Sequence, residues 1–151
     1  MNFDPDGRAA EVLLVEDNPS DVALTRHLFA AVALPVNLSV ARDGEEAVAQ
    51  VRRQADGGGD GPDLILLDLN LPRMSGLEVL GELKADERLR RIPVIVLTTS
   101  SAEQDVRSAY GRHANAYVTK PVDLDQFIRV IGSIEQFWLS VVRLPEARDR
   151  P

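Results

Sequence analysis

Short apolar runs and amphipathic stretches alternate along the chain. Val12-Leu13-Leu14-Val15 stops abruptly at Glu16-Asp17. A continuous apolar run closed by polar residues suits a strand buried on both faces. Asn18 is a good helix cap and Pro19 suits a first helical position. A helix is therefore expected from there to about Ala33, with Val22, Leu24, Leu28 and Val32 inward. Val36 to Ala41 alternates as a second strand does. Asp43 stands three residues before Glu46, a capping-box pattern that opens a helix to about Gln54. Residues 55–62 (ADGGGDGP) read as a flexible loop. Asp63 to Leu67 predicts a third strand ending on Asp68, and Gly76 to about Asp86 a helix. Pro93 to Leu97 predicts a fourth strand, and Ser100 with Glu103 a further capping box for a helix to about His113. Asn115 to Val118 is a short fifth strand, after which Asp123 caps a last helix.

Five strands alternating with five helices argue for an α/β fold, a parallel sheet covered on both faces. One doubly wound order for five strands is 2-1-3-4-5, the flavodoxin-like arrangement. Ligands then bind beyond the carboxyl ends of the strands, at the switch point. The strand ends carry Glu16-Asp17, Asp68, Thr98-Thr99 and Lys120-Pro121. With strands one and three adjacent, Glu16, Asp17 and Asp68 converge. Three carboxylates in one place repel unless a cation lies between them, and an oxygen-only set with few ligands suits Mg²⁺. A carboxylate can itself be the nucleophile that forms an aspartyl-phosphate. Phosphoryl transfer needs chiefly positioning and charge stabilisation, which Mg²⁺, the Lys120 ammonium and the Thr98 hydroxyl would supply. Taken singly, Glu16-Asp17 reads as a loop start and cap, Thr98 and Thr99 as strand-end hydroxyls, and Lys120 as a surface lysine. Their agreement at the strand ends favours the chemical reading.

The order Glu16-Asp17, Asp68, Thr98, Lys120-Pro121 resembles the receiver domains of two-component response regulators. The string Asp68-Leu69-Asn70-Leu71-Pro72-Arg73-Met74-Ser75-Gly76 is similar to the loop after that family's phosphoacceptor, and the likeness covers about residues 10 to 135. The resemblance implies that Asp68 is phosphorylated from a phosphohistidine on a sensor histidine kinase. It implies that Asp17, Asp68 and the Asn70 backbone carbonyl ligate Mg²⁺, with Glu16 acting through a water. It makes Thr98 the switch hydroxyl and Lys120 the partner of the phosphate, with a cis bond to Pro121. Tyr117 falls where the family's rotating aromatic lies, and reads equally well as a plain surface aromatic. Such a protein is a phosphoacceptor in signalling rather than an enzyme, although it takes part in its own phosphoryl transfer and aspartyl-phosphate hydrolysis.

The 151 residues, 44% apolar, suit one domain: a flexible segment 1–10, a receiver domain 11–137 and a C-terminal arm 138–151. The net charge of −7 argues against a nucleic-acid partner. The absence of cysteine excludes disulfides, thiolate metal sites and cysteine nucleophiles. No apolar run approaches the roughly 18 residues of a membrane span, and MNFDPDGRAA lacks the order of a signal peptide, so a cytoplasmic protein is expected. Gly57-Gly58-Gly59 lacks the Lys-Ser/Thr of a P-loop. His27 and His113 have no partner at ligand spacing and read as structural or surface residues.

The last helix carries Phe127, Val130, Ile131, Ile134, Phe137, Trp138 and Val141 at helical spacing. Phe137-Trp138-Leu139, Val141-Val142 and Leu144 extend past what a receiver needs. Either this arm folds back on its own domain or it anchors a homodimer. The ending also resembles the small regulators paired with bacterial phytochrome kinases, which implies a dimer through the fourth and fifth helices and the arm. With six residues after Pro145, the expected output is a protein contact or onward transfer to a histidine phosphotransfer protein. A degenerate receiver serving only as a dimerisation module, and a flavodoxin-like binder of a small ligand, are the competing readings.

Overall fold

The computed structural model describes residues 9–31, 35–59 and 61–145. Five strands, β1 (Ala10–Val15), β2 (Val36–Ala41), β3 (Leu64–Leu67), β4 (Val94–Thr98) and β5 (Ala116–Thr119), alternate with five helices. The helices are α1 (Pro19–Ala30), α2 (Gly44–Asp56), α3 (Gly76–Ala85), α4 (Glu103–Gly111) and α5 (Leu124–Gln136). The sheet order is β2-β1-β3-β4-β5 and every pairing is parallel, the doubly wound order expected. Ala10 already belongs to β1, opposite Val36. Val32, expected inward on α1, lies outside the described residues.

The central strand shows why this sequence makes this sheet. All four residues of β3 are fully buried, and successive side chains point to opposite faces. Ile65 and Leu67 join Val48, Val51, Val79 and Leu80 under α2 and α3. Leu64 and Leu66 join Val22, Phe29, Phe127 and Ile131 under α1 and α5. The apolar run therefore serves two cores, and an alternating strand would leave one of them open.

The helix ends follow from short polar side chains. The Asn18 side chain accepts from the Ser20 and Asp21 N–H groups and opens α1. Asp43 accepts from the Glu46 N–H, while the Glu46 carboxylate reaches the Arg42 N–H instead of closing a reciprocal box. Ser75 and Glu78 form a full capping box at α3, a signal present in the sequence and passed over. α4 closes on His113, exposed and at φ 70°. Its N–H reaches the Tyr110 carbonyl at 2.9 Å and the Ala114 N–H the Ala109 carbonyl at 3.0 Å, the paired bonds of a left-handed helix terminus.

Two expectations are corrected. Ser100 and Glu103 do not box α4: Ala102 takes the cap position without a side-chain bond. The Ser100 hydroxyl donates to the Asp105 carboxylate at 2.5 Å and accepts from the Ala102 N–H at 3.3 Å, so it holds the turn ahead of α4 instead of capping the helix. The second correction concerns the arm. α5 continues into a π-helical turn, Phe137–Val141, whose wider winding inserts one extra residue. The inward stripe Phe127, Ile131, Ile134 therefore resumes at Leu139 rather than at Trp138 and Val141. Leu139 and Leu144 are buried in the chain's own core, Trp138 and Val142 pack on its rim, and Phe137 and Val141 are exposed. Of the six arm residues named as dimer candidates, Leu139 and Leu144 are thus not at the surface.

Candidate functional site

Register brings the site together. Val15 pairs with Leu67, so the residues just beyond them, Glu16 and Asp68, emerge side by side; the Asp68 N–H donates to the Val15 carbonyl at 3.0 Å. Thr98 ends β4 and Lys120 follows β5, joined by a 2.6 Å bond from the Lys120 N–H to the Thr98 carbonyl. Glu16, Asp68, Thr98 and Lys120 are buried, while Asp17 is exposed.

Carboxylate oxygens of Glu16, Asp17 and Asp68 lie within 4.8 Å of one another. That donor set, all oxygen and open on the Asp17 side, fits a hard divalent cation. The Asn70 N–H reaches Asp68 Oδ1 at 3.3 Å, which bends the loop after β3 back over the carboxylate. Two glycines permit this loop. A Cβ on Gly76 would sit 2.2 Å from the Asp68 carbonyl oxygen, and one on Gly44 would sit 2.0 Å from that of Met74.

Lys120 Nζ lies 2.5 Å from Glu16 Oε1, 2.8 Å from Asp21 Oδ2 and 3.5 Å from Asp68 Oδ2. Burial opposes its charge, but the bonds to Asp21 and Glu16 and the charges of Asp68 and Glu16 outweigh that and hold it above the ordinary lysine range. Burial pushes Glu16 up to about 7, partly offset by the Lys120 bond and reinforced by the Asp68 charge. The Thr98 hydroxyl is buried without a hydrogen-bond partner among the described residues. Unsatisfied buried groups are rare and call for a reason; Thr98 closes β4, the strand next to the one that ends at Asp68. Tyr117 is half-buried and its hydroxyl donates to the Ser100 carbonyl at 2.8 Å. It thus ties β5 to the loop that follows Thr98, and burial raises its phenol above the ordinary value.

Of the strand-end residues picked from the sequence, Glu16, Asp17, Asp68 and Lys120 meet here; Thr98 closes the adjoining strand and Thr99 is exposed. The expected cis bond is absent: no described peptide bond is cis, Lys120–Pro121 included. Trans is favoured before proline by about 0.5–1 kcal/mol unless context opposes it. Asp21 was missed. An acid in the first turn of a helix reads as a complement to the helix dipole, and nothing local points to a lysine 99 positions away.

Residues 12–132 match the response regulator receiver domain. The chain belongs to that family. Its relatives include the response regulator Rcp1 of Synechocystis sp. (strain ATCC 27184 / PCC 6803 / Kazusa), 43% identical over 90% of this chain and 93% of Rcp1. They also include the probable methanogenesis regulatory protein FilR2 of Methanothrix harundinacea (strain 6Ac), 40% identical over 89% of this chain and 86% of FilR2. The Mn²⁺-bound form of Rcp1 superposes with a TM-score of 0.85 over 91% of this chain and 99% of its own. The phosphorylated cyanobacterial phytochrome response regulator RcpA does so at 0.86, with 44% identity, over 92% of this chain and 100% of its own. This receiver therefore functions by phosphorylation in a two-component system, with a histidine kinase as its partner; receiver domains bind a divalent metal, and an acidic cluster that could hold one is present. Among the described residues, no helix is long and apolar enough to cross a membrane.

Proposed function

We propose that Asp68 is the phosphoacceptor of this receiver and that Mg²⁺ is its working metal. The observation that carries the reading is one buried carboxylate set in an acidic cluster, 3.5 Å from a lysine, with a buried threonine hydroxyl that has no partner among the described residues at the end of the adjoining strand. Asp17, Asp68 and the Asn70 carbonyl would hold the ion, with Glu16 acting through a water. The bound metal supplies charge neutralisation and orientation of the phosphoryl group. Asp68 supplies the attacking oxygen, which displaces the histidine nitrogen from phosphorus. The Lys120 ammonium neutralises the transferred group, and the Thr98 hydroxyl donates to one of its oxygens, gaining the partner it lacks. Tyr117, hydrogen-bonded to Ser100, responds as the loop after Thr98 is drawn toward the phosphate.

The protein thus acts as a signalling phosphoacceptor rather than an enzyme with a turnover substrate, in the cytoplasm. Its kinase is a bacterial phytochrome, a reading supported by the likeness to RcpA and Rcp1. A histidine phosphotransfer protein is a further candidate for receiving the group. The receiver unit spans the residues from β1 through α5, and the segment from Trp138 to Pro145 serves dimer formation. Support for a homodimer through α4, α5 and the arm comes from exposed Leu124, Ile128, Phe137 and Val141.

Labelling by acetyl phosphate with Mg²⁺ tests the central claim: the wild type gains a base-labile phosphate and Asp68→Asn gains none. Equal labelling of both removes Asp68 from its role. Sizing chromatography of Phe137→Ser with Val141→Ser tests the dimer. These two side chains are exposed, so loss of the dimer mass without loss of fold is the supporting result.

A further inference from the structure

Lys120 has three N–H donors and a choice of acids. Its short contacts go to Glu16 and Asp21, at 2.5 and 2.8 Å, whereas Asp68 stands at the 3.5 Å limit. On the phosphoacceptor reading, this ammonium must turn to the phosphoryl group on Asp68, and one short contact must be released. The two acids differ in what release costs. The Glu16 side chain is 3% exposed and the Asp21 side chain 30%. A buried carboxylate stripped of its partner loses far more than one that water can reach.

Asp21 is held in place for this contact. It lies in the first turn of α1, where its N–H donates to Asn18 Oδ1 at 3.2 Å. That turn follows Glu16-Asp17 directly, so α1 projects Asp21 over the same end of the sheet that carries the site. The acid does not belong to the Glu16-Asp17-Asp68 set whose oxygens converge. Its contact in that region is with the lysine.

We propose that Asp21 is a positioning residue that tethers Lys120 away from the phosphoryl site in the resting protein and thereby slows phosphorylation of Asp68. The inference rests on the phosphoacceptor reading above. Losing the tether leaves Lys120 on Glu16 and frees a donor for the incoming group.

The test uses the full chain and its Asp21→Asn and Asp21→Glu variants. Labelling is followed with acetyl phosphate at saturating Mg²⁺, in low salt and in 1 M salt. The Lys120 side chain is followed by NMR (13Cε and 15Nζ shifts) in the metal-free, unphosphorylated protein. Asp21→Asn is expected to raise the labelling rate by about three- to tenfold, the order of one net intramolecular hydrogen bond. The gain should persist in 1 M salt, where the screening length is about 3 Å, and the Lys120 resonances should move. Asp21→Glu should return both readouts toward wild type.

A labelled wild type with an unaccelerated Asp21→Asn overturns this inference alone. So does a gain that vanishes in high salt, which would mark general repulsion of an anionic donor, or an unmoved Lys120 resonance. A wild type that takes no label overturns the phosphoacceptor reading and the tether with it. A purely structural role for Asp21 would lower the melting temperature without accelerating labelling.

Discussion

The Lys120 N–H donates to the Thr98 carbonyl at 2.6 Å, so the backbones that carry the ammonium and the hydroxyl are fixed to each other by the end of the β4–β5 ladder. The two groups cannot drift apart without breaking the sheet edge. Their side chains, by contrast, have something left to do: one is shared among three acids and the other has no partner among the described residues. A rigid backbone with uncommitted side chains is what a site needs if it is to change contacts on modification.

Replacing Lys120 by Met leaves Glu16, Asp21 and Asp68 without their shared cation. Removing one member of a buried ion pair typically costs about 3–5 kcal/mol. Urea unfolding of Lys120→Met without metal should show a loss of that order, and Mg²⁺ should restore more stability to the variant than it adds to the wild type. Equal metal effects on both proteins would mean that the ion and the lysine do not neutralise the same carboxylates.

Glu135 gives a pH prediction away from the site. It is buried on α5, one of its oxygens has no partner among the described residues, and burial pushes it from 4.5 up to about 7. Below pH 4.5 the group is protonated whether the chain is folded or not, and stability is unaffected. Between there and about 7 the unfolded chain ionises first, so stability falls as pH rises, and above 7 the loss is complete. Glu135→Gln should match the wild type near pH 4 and exceed it at pH 8 by about 1–2 kcal/mol, allowing for partial solvent screening. Melting curves at the two pH values check this, and a pH-independent difference would refute it.

The π-helical turn can be tested by comparing neighbours. Leu139 is fully buried and Val141 is 68% exposed. Leu139→Ala should cost about 2–5 kcal/mol, and Val141→Ala less than about 0.5 kcal/mol. Were the turn an ordinary α-helix, Trp138 and Val141 would face inward and this ranking would reverse.

Gly44→Ala tests the loop that shapes the site. Its Cβ would overlap the Met74 carbonyl oxygen at 2.0 Å, so the loop from Asp68 to Ser75 must shift. We expect a loss of about 1–3 kcal/mol together with weaker Mg²⁺ binding by calorimetry. Arg73, on the same loop with φ 69° and ion pairs to half-buried Asp43 and exposed Glu45 at 3.5 and 3.7 Å, is a control: its own side chain is exposed, and Arg73→Ala should change stability by less than about 1 kcal/mol.

Much of this was legible in the sequence because it is local. A buried parallel strand needs an unbroken apolar run, and Leu64 to Leu67 is one. A helix start needs a short polar side chain, and Asn18, Asp43 and Asp123 each provide it. Strand ends carry the chemistry in a doubly wound sheet, so Glu16, Asp17, Asp68, Thr98 and Lys120 were found by asking which polar residues close apolar runs. The Ser100 cap failed because α4 begins two residues later, after Ala102, and the Ser100 oxygen accepts from the Ala102 N–H ahead of the helix.

By itself, then, the sequence determined the alternation of strands and helices, the sheet order as one of few possibilities, and the set of acids, hydroxyl and lysine at the strand ends. Periodicity and side-chain type act over a few residues, and those features need no more. Only the tertiary structure decided which acids hold Lys120, because Asp21 and Lys120 are 99 positions apart and meet through the register of four strands. Only it decided which arm residues face inward, because one π-helical turn rotates Leu139 into the core and Val141 out to solvent, a choice made by the space the packed sheet leaves beneath α5.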